Sequence, residues 1–234
     1  MTTEGLYRLL AWSSPAFPTG AFSYSHGLEA AVADGAVCGR ATLETWIKAA
    51  IVHGSGRIDA DILRDAWRAA AAGDAPALAE VNRRGCAYRA TAELALESAQ
   101  QGAAFRAAYA AAWCDDPHPD PPPPAGEGRG GGGRDDVCHA GVFGAAASRA
   151  GITLAAALTA YLHAFATNLM SAGLRLGVVG QSDGQRILAA LEPEVRAAAA
   201  ACVEREPEDF GTAVLALDLA SMAHETQYSR LFRS

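Results

Sequence analysis

Gly180-Gln-Ser-Asp-Gly184 spells Gly-x-Ser-x-Gly, the string that in a nucleophile elbow lifts a serine hydroxyl above a sheet. Asp209 or Asp218 and then His224 follow in the order of a hydrolase triad, so the parts of a serine hydrolase are present. An elbow needs a multi-stranded parallel sheet beneath it, and the chain offers one strand-like run, Leu176 to Val179. The same residues have a second reading. Ser182 and Gln185 stand at capping-box spacing, in which each side chain answers an unpaired backbone N–H at a helix start, and this accounts for the serine without catalysis. His224-Glu225 opens like a zinc-protease motif, but Tyr228 stands where the second histidine is needed. The glycine run at 130–133 is not followed by a lysine and a hydroxyl residue opening a helix, so it is no phosphate-binding loop.

The five cysteines, Cys38, Cys86, Cys114, Cys138 and Cys202, are scattered and never spaced Cys-x-x-Cys, which reads as reduced thiols. Cys138 precedes His139, a pair that could touch a soft metal, although adjacent residues seldom complete a site by themselves. His26, His53 and His163 fall on helical or helix-edge segments, where a hydrogen-bonded structural histidine is the commoner role. His26 differs because Phe22-Ser-Tyr-Ser-His-Gly27 surrounds it with hydroxyls and aromatics beside a proline-constrained turn, a setting for a polar passage or an interface.

The elements that must position these groups are helical. Of 234 residues, 50% are hydrophobic, with alanine dominating and aromatics only 7%, so the expectation is an all-α, single-domain helical bundle. A formal net charge of −7 gives no broad attraction to phosphate backbones or anionic lipids, which argues against nucleic acid and membrane partners. No basic-then-apolar leader and no run of about twenty apolar residues is present, so a cytoplasmic protein is expected. Residues 117–134, PHPDPPPPAGEGRGGGGR, have too little apolar surface to offset their ordering entropy and read as a disordered surface insertion between two helical blocks.

In the first block, His26 to Asp34 can coil until Gly35, and Thr42 can cap a helix through Trp46, Ile47, Ala50 and Ile51. Ile58, Ile62, Leu63 and Trp67 mark the next helix, closed by Gly73; Asp74 with Pro76 opens another, and a longer one ends near Trp113. The second block begins near His139. Leu154, Leu158, Tyr161, Phe165 and Leu169 form a stripe on a central helix, with Thr153 as its N-cap. A helix beginning at Ser182 should break or kink at Pro193, and a last helix over Thr212 to Ala223 leads into 224–234. That tail places Tyr228, Leu231 and Phe232 beside Arg230 and Arg233, which is material for docking on another protein or for folding back on the chain's own core.

Three stretches together resemble the urease accessory protein UreF family: SPAFPTGAFSYSHGLE at 14–29, SAGLRLGVVGQSDGQRIL at 171–188, and the terminal HETQYSRLFRS. The resemblance implies an all-α homodimer without enzymatic activity or a resident cofactor. It would work as a scaffold between UreD (also called UreH) and the GTPase UreG, passing nickel in transit toward apo-urease and bearing on GTP use. By position, it implies that Phe22, Tyr24, Ser25, His26 and Glu29 lie near dimer and partner surfaces. His224, Glu225, Tyr228, Arg230, Leu231 and Phe232 would order against UreD and build the surface for UreG, with Arg175, Gln181 and Asp183 in a loop facing the GTPase. Two departures stand out. Gly177-Val178 replaces the family's common valine-proline, which makes the loop less rigid, and the 117–134 insertion is atypical. A nickel-storing chaperone using Cys138 and histidines, or a hydrolase using Ser182, are the alternatives.

Overall fold

The computed structural model describes residues 1–114, 137–212 and 214–234, so the insertion at 117–134 lies outside the described residues. The described chain is all-α, with no strand among these residues. Its α-helices are α1 (Thr3–Trp12), α2 (Leu28–Ala33), α3 (Arg40–Val52), α4 (Ser55–Ala71), α5 (Ala75–Ala87), α6 (Ala92–Trp113), α7 (His139–Arg149), α8 (Leu154–Arg175), α9 (Gln181–Glu204) and α10 (Leu215–Glu225). No helix among the described residues is long and apolar enough to cross a membrane.

Helices α4, α7 and α8 form the centre, and alanine and glycine bring their axes close. A Cβ on Gly144 of α7 would lie 2.4 Å from the Leu63 carbonyl oxygen of α4, so the crossing requires a residue without a side chain. Ile58, Ile62 and Leu63 of α4, Phe143 of α7, and Leu158, Leu162 and Leu169 of α8 fill one connected core. Trp12 of α1 caps one end, meeting Phe105, Tyr109, Trp113 and Phe143 edge-on. Aromatic pairs in this geometry add to the stabilisation from area burial.

Several helix ends follow the local chemistry read from sequence. The Asp74 carboxylate accepts from the Ala77 N–H at 2.9 Å, with Pro76 in the first turn of α5. Thr91, a cap that the sequence reading did not single out, closes the start of α6 by accepting from the Leu94 N–H. Thr42 acts from the third position of α3, its hydroxyl accepting from the Cys38 and Gly39 N–H groups, while Gly39 is the N-cap. Thr153 occupies the N-cap of α8 without a side-chain bond.

Three expectations are corrected. Leu176–Val179 is not a strand but the end of α8. Gly177 takes φ 73°, its N–H donates to the Leu174 carbonyl, and the Val178 N–H donates to the Gly173 carbonyl at 3.0 Å, closing a Schellman turn. The capping box at Ser182 is not formed, because α9 already begins at Gln181 with Gly180 as N-cap, leaving Ser182 exposed as its second residue. Gly184 fixes that register: a Cβ there would lie 2.6 Å from the Met170 sulfur of α8. Pro193 does not break α9. Leu191 and Val195 are buried on either side of it, and their packing holds the helix through the missing N–H.

Candidate functional site

The N-terminal stretch 22–29, the start of α6 and the tail 224–234 converge on one region. A left-handed pair, His26 at φ 53° and Gly27 at φ 74°, turns the chain into α2. Gly27 is required there twice over, since a Cβ would also lie 2.6 Å from the Ser221 backbone nitrogen of α10. Helices α2 and α10 therefore touch backbone to backbone, and the tail leaves α10 directly over α2.

The tail is held by carboxylates. Glu29 is buried, and its two oxygens accept from the Leu231 N–H at 2.7 Å and the Phe232 N–H at 2.9 Å. His224 is fully buried with Nε2 3.2 Å from Glu29 and Nδ1 2.7 Å from Glu93 of α6. Glu93 also binds the Arg230 guanidinium at 2.7 Å. Farther along, the Arg233 N–H donates to the Ser23 carbonyl at 2.8 Å, and both the Ser25 N–H and hydroxyl donate to the Ser234 carbonyl. The Ser234 hydroxyl donates to Glu97 of α6 at 2.9 Å. In the reverse direction, Glu225 of α10 accepts from the Ala92 N–H at 2.9 Å and so caps α6. Phe232 is buried under the Arg175 guanidinium, which lies 4.2 Å from the ring centroid.

Beneath this region lies a cavity of about 150 Å³ between α1, α4, α6, α7 and α8. His26, Asp59, Glu97, His139 and Tyr161 are among its walls. His26 Nε2 sits 2.9 Å from Glu97, while its Nδ1 is buried without a partner. Burial works against charge on this ring, but the charge and hydrogen bond of Glu97, with the charge of Asp59, outweigh it and raise the His26 pKa. His139 behaves oppositely: burial dominates the same carboxylates and lowers its pKa to about 4. Tyr161 donates to Asp59 at 3.0 Å and meets His139 Nδ1 at 3.4 Å; burial, then the Asp59 charge, hold its pKa well above the usual value. Asp59 in turn pairs with Arg89 at 2.8 Å.

The UreF family model matches residues 37–192. The urease accessory protein UreF of Granulibacter bethesdensis is 47% identical over 229 residues, covering 98% of this chain and 94% of that protein. The chain belongs to the UreF family. Those of Azorhizobium caulinodans and of Rhodopseudomonas palustris strain BisB5 are each 44% identical, over 97% and 99% of this chain and 94% and 92% of their own lengths.

Among the positions that the UreF likeness singles out, Tyr24, Ser25, His26, Glu29, Arg175, His224, Glu225, Arg230 and Phe232 are brought together. Tyr24 and Ser25 are buried beneath the tail, and Tyr24 reaches Gln100. Phe22, Tyr228 and Leu231 point outward, at 68%, 105% and 62% exposure. Gln181 and Asp183 stand apart at the start of α9, where Asp183 pairs with Arg186 of its own helix. Sequence reasoning missed Glu93, Glu97 and Gln101, whose spacing of four along α6 sets them on one face and was the available signal.

The hydrolase arrangement is not assembled. Ser182 lies on a helix, the sheet that an elbow requires is absent from the described residues, and both ring nitrogens of His224 face glutamates. Cys138 and His139 make different contacts. The buried Cys138 thiol faces Asn82, and its hydrogen bond with Cys86, then burial, raise its pKa well above the thiol norm, while His139 faces Tyr161. Among the described residues no group of three or more His, Cys, Asp or Glu is placed to hold a metal ion.

Proposed function

We propose that this chain is a non-catalytic scaffold of urease maturation, a cytoplasmic homodimer that joins UreD (UreH) to the GTPase UreG for nickel delivery into apo-urease. The observation that carries this reading is the tail. Its inward side chains are spent on the chain's own body, which leaves Tyr228 and Leu231 exposed as anchors, the latter on backbone held by Glu29. Aromatic and aliphatic anchors of this kind, with arginine beside them, are what protein interfaces use as hot spots. The cavity beneath is mostly apolar, and the carboxylates and imidazoles of Asp59, Glu97, His26 and His139 along its wall are the groups that nickel in transit would meet.

Tyr228→Ala combined with Leu231→Ala tests the reading, because both side chains are exposed and their loss leaves the core intact. The doubly substituted chain should keep its helical circular dichroism and lose at least tenfold in UreD affinity. Undiminished binding contradicts the docking role.

A further inference from the structure

Glu29 matches a position that the family resemblance associates with partner surfaces, yet its carboxylate is 7% exposed and fully engaged inside the chain. One oxygen accepts from the Leu231 N–H at 2.7 Å; the other accepts from the Phe232 N–H at 2.9 Å and lies 3.2 Å from His224 Nε2. We propose that Glu29 is a positioning residue, whose buried carboxylate sets the path of residues 224–234 and thereby turns Leu231 outward and Phe232 inward.

The chemistry follows from consecutive amides. Adjacent N–H groups in an extended segment point to opposite sides, so two in a row can share one carboxylate only if the backbone turns around it. Glu29 imposes that turn. The chain bends at Leu231 and Phe232, with Phe232 against the Arg175 guanidinium and Leu231 in solvent. Glu93 fixes the segment leading into the turn, taking His224 Nδ1 and the Arg230 guanidinium, each at 2.7 Å. The Glu29 carboxylate meets His224 directly, and Glu93 and Arg230 follow on the far side of that imidazole.

A glutamine at position 29 keeps the shape but can accept only through its single oxygen, and its NH2 would face a backbone donor. Glu29→Gln should keep one amide and oppose the other, which loosens the tail while α2 keeps its fold.

Backbone amide hydrogen exchange on the full chain reads this directly. In the wild-type chain the Leu231 and Phe232 amides should exchange at least tenfold more slowly than those of Tyr228 and Ser229. Equal rates overturn the proposal without reference to any variant. In Glu29→Gln at least one of the two protected amides should exchange at least tenfold faster with unchanged helical circular dichroism, and unchanged protection of both overturns the proposal. The inference rests on the docking reading only for its consequence, so UreD capture by the same variant separates the two. Faster exchange with capture reduced at least fivefold supports both. Faster exchange with full capture leaves Glu29 as the positioning residue and removes the tail from docking. Unchanged exchange with lost capture makes Glu29 a direct partner contact instead.

Discussion

Replacing His139 with phenylalanine should make the protein more tolerant of acid. The imidazole lines the cavity among Phe105, Phe143 and Tyr161, a setting that accepts a phenyl ring without a new polar demand. Burial lowers its pKa from 6.5 to about 4. The unfolded chain therefore binds a proton at this residue between those two values while the folded chain does not, so stability falls as pH drops through that window. At about 1.36 kcal/mol per pH unit, the gap corresponds to about 3 kcal/mol in full and about 2 kcal/mol by pH 5. Urea unfolding of both proteins at pH 7.5 and pH 5 measures the difference. The wild-type chain should lose about 2 kcal/mol more than His139→Phe on acidification. Parallel losses refute the argument that this histidine is held neutral by burial.

His26 should show the opposite sign. Its pKa is raised by Glu97, so its stabilisation is fully present below the unfolded value of 6.5 and is lost as pH rises through the folded value. Asparagine tolerates the left-handed backbone at this position. His26→Asn should therefore be less stable than wild type at pH 6, with the difference narrowing toward alkaline pH; a pH-independent difference counts against the His26–Glu97 pair. Phe232→Ala removes a buried ring under Arg175 and should cost about 2 to 3 kcal/mol in denaturant unfolding or in the protection of the tail against protease. No change in either measurement means the ring is not seated. Arg230→Ala removes a guanidinium from Glu93 and should weaken UreG recruitment in a pull-down, which an undiminished GTPase band contradicts.

Much of the helical frame was legible because it is set locally. The stripe Leu154, Leu158, Tyr161, Phe165 and Leu169 packs on the core as the inner side of α8, and Asp74 with Pro76 starts α5 as their chemistry requires. Leu176–Val179 misled because four residues with three large apolar side chains read alike as a strand or as the close of a helix, and only the left-handed Gly177 distinguishes them. Pro193 misled because propensity yields to tertiary packing, here Leu191 and Val195 seated in the core. The candidate site was half legible. Its aromatic and basic residues stand out in the tail and Glu29 enters through the family resemblance, but Glu93 and Glu97 are ordinary helix residues until folding brings them to the tail from far along the chain. The tail divides residue by residue, with Phe232 folded inward and Tyr228 and Leu231 left exposed.

The scaffold reading stands or falls on assembly. Co-expression of this chain with UreD and UreG, purification through a tag on this chain alone, and determination of the native mass test it most directly. The account predicts one complex in which two copies of this chain hold both partners, and whose UreD is lost when residues 224–234 are removed. Recovery of this chain free of both partners, or a complex indifferent to the tail, contradicts it.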